Sequence, residues 1–232
     1  SEKLEPKVLA SWLNRYFSTI SQVVVRHGGT LDKYIGDSVM AFWGAPVISD
    51  AHADDALAAA LEMQHSIAVL SRQFEAEGLP AISIGIGVST GIGNVGNLGS
   101  RYRMAYTVVG DAVNMAQRLE RQTRQYQVPI IVSGSTAERT QGMLYRELDI
   151  VRIKGCSGDI RMFQPICPQS KASDQMLHNL AEHRKAMGFF MNQDWTQAAR
   201  IFKALRQYWS SDKVYDIYLK RIREHEQHPH SG

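Results

Sequence analysis

The sequence predicts an α+β fold, with an antiparallel-rich sheet covered by helices and an all-helical appendage at the C-terminal end. Two observations predict this class. Strand and helix patterns follow one another irregularly rather than as strict strand–helix–strand repeats, which favours α+β over a parallel α/β arrangement. From about residue 171 to residue 226 only helical patterns occur. The segment PICPQSKASD, residues 165–174, is therefore predicted to separate a domain of residues 1–167 from a helical appendage of residues 171–226.

Composition limits the classes of function. The chain has 232 residues, of which 44% are hydrophobic and 21% are charged, as in an ordinary globular protein. Its formal charge of +3 is too small to indicate nucleic-acid binding. Two cysteines make no disulfide framework, and no apolar run reaches the length of a membrane span. We therefore expect a cytoplasmic domain that binds no nucleic acid and contains no membrane segment, even if a parent protein is anchored in a membrane.

The first third of the chain predicts a helix, a β-hairpin and a second helix. Residues 7–26 carry apolar side chains at helical spacing, and Pro6 suits the first turn of such a helix. Residues 30–36 and 38–43 show two strand patterns that meet at the turn sequence Gly36–Asp37. The next helix is predicted from an apolar stripe formed by Ala56, Ala60, Met63, Ile67 and Leu70.

The middle of the chain predicts further strands around one helix. Residues 81–91, AISIGIGVSTG, alternate Ile and Val with Ser and Gly, so we expect a strand whose second face is bare enough for another element or a ligand to approach. Residues 93–105 are rich in Gly and Asn and are predicted as a loop or arm. A short strand at 106–109 leads into a helix of residues 112–126, with Asp111 as its N-cap. Further strands are predicted at residues 128–133, 144–154 and 160–166.

Two Gly-Asp pairs are the first candidates for a functional site. Lys33 lies four residues before Asp37, and Thr107 lies four residues before Asp111. An aspartate at a hairpin turn is often only a turn residue. Asp37 could instead bind a hard metal ion such as Mg²⁺, which prefers carboxylate oxygens and substrate phosphates. Lys33 is a candidate for the same site, and its alternative is a solvated residue of an edge strand, which is the usual place of a lysine in a strand.

Three more polar residues are candidates for phosphate or ribose binding. Asn114 and Arg118 share one face of the predicted helix after the second Gly-Asp pair. An arginine there suits charge on phosphoryl oxygens, especially in a transition state. Lys154 lies at the mouth of the last predicted hairpin and suits a phosphate contact. For Arg118 and Lys154 the alternative is an ordinary solvated side chain.

Several separate motifs resemble the catalytic domain of the bacterial-type class III nucleotidyl cyclases. The resemblance covers residues 1–167, with the motifs in order and at suitable gaps, which makes it more specific than any single pattern. It implies a ferredoxin-like α+β core and a head-to-tail homodimer whose two composite active sites are lined by both chains. The motifs are GGTLDKYIGDSVMAFWGAP, SIGIGVSTGIGNVGNLGSRYRMAYTVVGDAVNMAQRLE and VRIKG.

The resemblance also implies a role for the candidate residues. Asp37 would be one of two metal-binding aspartates, with two Mg²⁺ or Mn²⁺ ions as cofactors. Asn114 would orient the ribose, Arg118 would stabilise charge at the α-phosphate, and Lys154 would hold the terminal phosphates. Asp111 matches no catalytic residue of the family, so the helix-cap interpretation stands for it.

By the same resemblance, Lys33 and Thr107 would select the base. Adenine presents an acceptor at N1 and a donor at N6, which a donor-only lysine and a threonine hydroxyl can match. The pair therefore favours ATP, and the predicted activity is adenylate cyclase. Two alternatives stay open: a guanylate cyclase, because lysine can also reach guanine O6, and a non-catalytic module that binds nucleotide.

Members of this family carry an Asp-x-x-Gly-Phe-Thr motif on a first strand, which supplies the other metal-binding aspartate. No such segment occurs in residues 1–232. Either the segment lies upstream in a parent protein, or the strand is missing. In the second case we expect weak or no turnover, which favours the non-catalytic alternative.

The helical appendage lies outside this resemblance. Residues 183–205, HRKAMGFFMNQDWTQAARIFKAL, resemble part of a tetratricopeptide-type helix pair. One such unit is too short for a stable repeat array. We therefore prefer a helical appendage that docks on the catalytic domain or on its dimer mate.

Overall fold

The structure is a computed structural model that describes residues 5–152 and 159–227. It confirms the predicted α+β class, with helices and strands mixed along the chain. The helices are α1 (Pro6–Arg26), α2 (His52–Ala76), α3 (Asp111–Tyr126), α4 (Gly134–Arg139), α5 (Asp174–Met191), α6 (Trp195–Tyr208) and α7 (Val214–Gln227). The strands are β1 (Thr30–Ile35), β2 (Ser38–Phe42), β3 (Ile86–Val88), β4 (Asn94–Ser100), β5 (Arg103–Val109), β6 (Ile130–Ser133), β7 (Met143–Arg152) and β8 (Asp159–Pro168).

Within the described residues, the strands form one four-stranded sheet and two two-stranded ribbons. The larger sheet has the order β3–β6–β8–β7; β3 and β6 are parallel, and the other neighbours are antiparallel. Strands β1 and β2 form a hairpin, and β4 and β5 form a separate antiparallel ribbon. Antiparallel pairing therefore dominates, as the sequence predicted.

Helices α1 and α2 share one hydrophobic cluster with the β1–β2 hairpin. Ile20 and Val24 of α1 pack in this cluster with Met63 of α2. All five residues of the predicted stripe on α2 are buried. The hairpin is held against α1 by the rings of Phe17 and Tyr34, whose centroids lie 4.3 Å apart. The long helix at the start of the chain thus supports the hairpin that carries Lys33 and Asp37.

Strand β3 is much shorter than the strand predicted for residues 81–91. Only Ile86–Val88 pairs in a ladder, with Ile130–Val132 of β6. The bare face predicted from the glycines is confirmed, because α3 lies directly on it. A Cβ at Gly87 would stand only 2.0 Å from the carbonyl oxygen of Ala116. Glycine is therefore needed here for the helix backbone to approach the strand.

The segment predicted as a loop or arm, residues 93–105, lies mostly in a β-ribbon. Strands β4 and β5 pair along their length, from Asn94 opposite Val109 to Ser100 opposite Arg103. Gly and Asn disfavour strands, which is why the local pattern predicted a loop. Strand β4 forms because its backbone is hydrogen-bonded to β5, and the composition of β4 alone does not indicate this pairing.

The three C-terminal helices pack against the sheet of their own chain. Leu148 of β7 and Met162 of β8 belong to the same buried cluster as Met187, Phe202 and Tyr218 of the helices. The break predicted near residues 192–194 separates α5 from α6. The predicted helical appendage is confirmed, and it docks on the sheet of the same chain. None of the helices in the described residues is long and apolar enough to cross a membrane.

Candidate active site

Asp37 lies at the turn of the β1–β2 hairpin. Ile35 pairs with Ser38, so Gly36 and Asp37 form a two-residue turn. Gly36 has a φ of 64°, a left-handed conformation that glycine adopts without steric cost. The Asp37 residue is exposed at this tip. The predicted hairpin is confirmed, and the role of Asp37 as a metal ligand stays a prediction.

Lys33 and Thr107 come together in space from distant parts of the chain. The Nζ atom of Lys33, on β1, donates a hydrogen bond of 3.0 Å to Oγ1 of Thr107, on β5. Thr107 is 6% exposed, whereas the side chain of Lys33 is 43% exposed. The exposed ammonium group of Lys33 thus lies directly beside the buried hydroxyl of Thr107.

Asp32 is a third member of this cluster, and sequence reasoning missed it. Its side chain is 1% exposed. Its Oδ2 atom accepts a hydrogen bond of 2.5 Å from Oγ1 of Thr107, and its Oδ1 atom lies 3.2 Å from Nζ of Lys33. An acidic residue beside Lys33 is visible in the sequence. Because adjacent side chains of a regular strand point to opposite faces, that position did not indicate a shared contact.

Asn114 and Arg118 lie one turn apart on α3, Asn114 exposed and Arg118 half-buried. The predicted N-cap at Asp111 is wrong: Gly110 occupies the cap position, and Asp111 is the first helical residue. A Cβ at Gly110 would stand 2.9 Å from the carbonyl oxygen of Ile92, so the chain needs glycine between β5 and α3. Asp111 still lies in the first turn, where a carboxylate interacts favourably with the helix dipole.

A buried tyrosine of α1, Tyr16, has a raised pKa. Burial, together with the negative charges of Asp37 and Glu120, raises the pKa of Tyr16 to about 12. Asp37 belongs to the hairpin turn and Glu120 to α3, so both elements bring a carboxylate near the same ring of α1.

The remaining candidate, Lys154, lies outside the described residues. Within the described residues, no group of three or more His, Cys, Asp or Glu side chains could hold a metal ion. Three such side chains of the described residues therefore do not meet at Asp37, and a metal ion there would need oxygen ligands from substrate or water as well. Such a ligand set is usual for Mg²⁺, which binds through one or two carboxylates plus phosphates. The exposed carboxylate of Asp37 fits that chemistry.

The comparison with known families identifies the class of protein. Residues 1–167 match the family model described as the adenylate and guanylate cyclase catalytic domain. The chain therefore belongs to this family. A relative named adenylate cyclase 1, from Rhizobium meliloti (strain 1021), is 34% identical over 167 residues, which is 72% of this chain. This chain spans only 25% of the length of that relative.

Two solved structures resemble the fold to almost the same degree. The adenylyl cyclase CyaB from P. aeruginosa has a TM-score of 0.67 and 31% identity, over 74% of this chain and 89% of that chain. The guanylyl cyclase Cya2 has a TM-score of 0.66 and 31% identity, over 74% of this chain and 87% of that chain. The similarity of fold thus does not distinguish between the two nucleotides, and the base must be inferred from the site itself.

Proposed function

We propose that this chain is an adenylate cyclase catalytic domain that makes 3′,5′-cyclic AMP and pyrophosphate from ATP in intracellular signalling. In the reaction, the ribose 3′-oxygen loses its proton and forms a bond to the α-phosphorus. The bond between the α-phosphorus and the oxygen bridging to the β-phosphate breaks, and that oxygen leaves with pyrophosphate. The observation that carries the choice of ATP is the contact between Lys33 and Thr107.

The Lys33–Thr107 pair suits adenine better than guanine. The lysine ammonium group can only donate, so it matches the acceptor at adenine N1 and opposes the N1–H donor of guanine. The threonine hydroxyl can accept a hydrogen bond from the adenine N6 amino group. A site that leaves a buried polar group mismatched rejects the wrong ligand strongly. Both contacts therefore favour ATP.

The other candidate residues have proposed roles that the family resemblance implies and that their chemistry suits. Asn114 orients the ribose through its amide, and Arg118 stabilises the charge that develops on the oxygens of the α-phosphate. Lys154 holds the terminal phosphates. Catalysis of this kind depends mainly on positioning and on charge stabilisation, since phosphoryl transfer needs little covalent participation from the protein.

Asp37 would hold the metal. Two Mg²⁺ or Mn²⁺ ions would lower the pKa of the 3′-hydroxyl and neutralise charge on the triphosphate. The protein's own contribution at this point is a carboxylate fixed by a tight turn. Because Gly36 sets the turn, the position of the carboxylate depends on the hairpin rather than on a flexible loop.

We further propose that the chain works as a head-to-tail homodimer with two composite sites. The β4–β5 ribbon exposes apolar side chains, among them Met104 at 59% and Tyr106 at 39% exposure. Exposed apolar groups on an extended ribbon are typical of a surface that another chain covers. Light scattering after size-exclusion chromatography would give the mass in solution, and a mass of one chain at all concentrations would contradict this proposal.

The activity test uses the purified chain with ATP or GTP, each in Mg²⁺ and in Mn²⁺, and measures both cyclic nucleotides. We expect cyclic AMP from ATP and much less cyclic GMP from GTP. Replacing Asp37 by Ala should reduce cyclic AMP formation by at least about 100-fold, because an essential carboxylate ligand is lost. The matched control is Asp50→Ala, an exposed aspartate outside the site, which should leave the rate unchanged.

Three results would contradict the proposal in different ways. Preferential formation of cyclic GMP would support a guanylate cyclase. Nucleotide binding without either product, also after the upstream strand of a parent protein is restored, would support the non-catalytic alternative. Cyclic AMP formation that persists undiminished in Asp37→Ala would exclude Asp37 as a required metal ligand.

A further inference from the structure

A β-bulge places Asp32 and Lys33 on the same side of β1. Leu31 pairs with Ala41, but Lys33 pairs with Met40, so the register shifts and Asp32 is the extra residue. In a regular strand, neighbouring side chains point to opposite faces. A bulge re-aims a side chain, and bulges are common beside active sites. Here two consecutive residues reach one hydroxyl, that of Thr107.

The surroundings of Asp32 are those of a buried, paired carboxylate. Its side chain is 1% exposed, and its Oδ1 atom lies 3.2 Å from the Lys33 ammonium group. That ion pair supplies the opposite charge that a buried carboxylate needs. Oδ1 has no hydrogen-bond partner among the described residues, whereas Oδ2 bonds to Thr107 at 2.5 Å and, at 3.5 Å, to the backbone N–H of Val108.

The hydrogen-bond directions around Thr107 follow from the chemistry of its neighbours. An ionised carboxylate can only accept, and an ammonium group can only donate. The single hydroxyl proton of Thr107 is therefore donated to Asp32, and one of its lone pairs accepts from Lys33 at 3.0 Å. The remaining lone pair is an acceptor. Asp32 thus removes the ability of Thr107 to donate to a ligand.

We propose that Asp32 is a positioning residue that sets base selectivity by holding the Thr107 hydroxyl as an acceptor. An acceptor matches the 6-amino group of adenine and opposes the 6-oxo group of guanine. Without Asp32, a threonine hydroxyl could turn and donate to the oxo group, since a free hydroxyl can act in either way. This inference rests on the proposed function, because it places the base at Lys33 and Thr107.

A purely structural role for Asp32 makes a different prediction. Its bond to Thr107 also joins the hairpin to the β4–β5 ribbon, so its loss should lower stability in either case. A structural role alone would change the rates or affinities for ATP and GTP by similar factors. A role in selectivity changes their ratio, and only while the Thr107 hydroxyl is present.

The test is the replacement Asp32→Asn in the full chain. We would measure kcat/KM for ATP and GTP, and the affinity of each by displacement of a fluorescent methylanthraniloyl-ATP. An Asn side chain is nearly isosteric, but its amide N–H can donate to Thr107. We expect the ATP/GTP ratio to fall by about tenfold or more, in the range that a mismatched buried polar group produces. In a Thr107→Val background the same replacement should leave the ratio unchanged.

The outcomes separate the two proposals. A wild-type chain that neither binds nor cyclises ATP would overturn the proposed function. A wild-type chain that prefers ATP, with an unchanged ratio in Asp32→Asn, would overturn the role of Asp32 alone. An equal fall of the ratio in the Thr107→Val background would overturn it as well, because Asp32 would then act by another route.

A second measurement needs only the wild-type chain and so does not depend on the folding of a variant. Purine riboside triphosphate keeps the N1 acceptor of adenine but lacks the 6-amino group. If Thr107 is held as an acceptor for that group, the analogue should bind about tenfold more weakly than ATP, which is the typical worth of one buried hydrogen bond. Equal affinities would overturn the inference.

Discussion

At the scale of single residues, His183 shows how closely the helical appendage is bound to the sheet. Its Nε2 atom donates a hydrogen bond of 2.6 Å to the carbonyl oxygen of Glu147 on β7, and Nδ1 lies 3.4 Å from the hydroxyl of Tyr215. The neutral imidazole, with one donor and one acceptor, satisfies both partners. Burial lowers the pKa of His183 to about 3, despite the opposing effect of its hydrogen bond to Glu147.

The pKa of His183 predicts a loss of stability in mild acid. The unfolded chain takes up a proton near the ordinary value of 6.5, whereas the folded chain does so only near 3. The unfolded state therefore binds more protons between these values, and stability falls as the pH falls from 6.5 towards 3. At pH 5 this single group should cost about 2 kcal/mol relative to neutral pH. Urea unfolding at pH 7.5 and pH 5 measures the difference.

The His183→Gln variant isolates this effect, because an amide can donate to Glu147 but does not titrate. We expect the variant to lose less stability than the wild type between the two pH values. His178→Gln is the matched control, since His178 lies exposed on the same helix. An equal loss in wild type and His183→Gln would show that other groups cause the acid sensitivity.

The residues of the candidate site differ in how far the sequence could predict them. The spacing of Lys33 and Thr107 before their Gly-Asp pairs singled both out, and the fold brings them within 3.0 Å. Asp32 could not be found in the same way, because its contact depends on a bulge and strand alternation hides it. The buried contacts of Arg146 could not be predicted from the sequence either, because its partners lie on β8 and in the segment before α7, far away in sequence.

At the scale of elements, the contact between α3 and β3 positions the helix that carries Asn114 and Arg118. Two glycines make the contact possible. A Cβ at Gly85 would meet the Thr123 side chain at 2.0 Å, and one at Gly87 would meet the backbone of Ala116 at 2.0 Å. Backbone atoms cannot move aside as a flexible side chain can. The helix therefore needs glycine at position 87 to keep its place.

Replacing Gly87 by Ala should force α3 away from the sheet. Overpacking of this kind typically costs 1–3 kcal/mol, so we expect a loss of about 2 kcal/mol in the free energy of unfolding. If α3 positions catalytic groups, cyclic AMP formation should fall as well. Urea unfolding and the activity assay measure the two effects. Gly96→Ala is the matched control for the stability measurement, because a Cβ at Gly96 meets nothing within 4 Å. Equal stabilities of the two variants would contradict this account.

The sequence predicted helices better than strands for a physical reason. Helix patterns depend on neighbours within the same segment, and α1 and α3 begin and end close to the predicted residues. Strand limits depend on partners elsewhere. Residues 81–91 had a full strand pattern, yet only Ile86–Val88 finds a ladder partner. The opposite happened for Asn94–Ser100, where pairing produced a strand that composition disfavoured.

At the scale of the whole molecule, the catalytic part and the C-terminal helices share a core. A buried ion pair crosses between them: Arg146 of β7, with a side chain 0% exposed, donates to Asp212 in the segment before α7. Arg146 also donates to Gln164 at 2.5 Å and lies 5.4 Å from the ring centroid of Trp209. Because the apolar cluster continues across the same boundary, we expect the two parts to unfold together rather than as separate domains.

This cooperativity can be measured with single-tryptophan variants in urea. Trp43 reports on the catalytic part and Trp209 on the appendage; in each variant, the other three of the four tryptophans would be Phe. We expect the same midpoint from both probes.

The variant Asp212→Asn tests the ion pair between the two parts. It keeps an acceptor for the backbone N–H of Val214 but removes the charge that pairs with Arg146. Leaving a buried cation unpaired should cost about 3 kcal/mol.

That loss should lower both midpoints together, because one shared core transmits it to both probes. Asp216→Asn supplies the control: its ion pair with Arg206 is exposed, with side-chain exposures of 37% and 56%, and such pairs contribute less than about 1 kcal/mol. If the Trp209 midpoint alone shifts in Asp212→Asn, the appendage unfolds independently of the sheet. The division at residues 167–171 would then mark a boundary of stability as well as of sequence pattern. A joint shift would instead mean that the helices contribute to the stability of the catalytic fold itself.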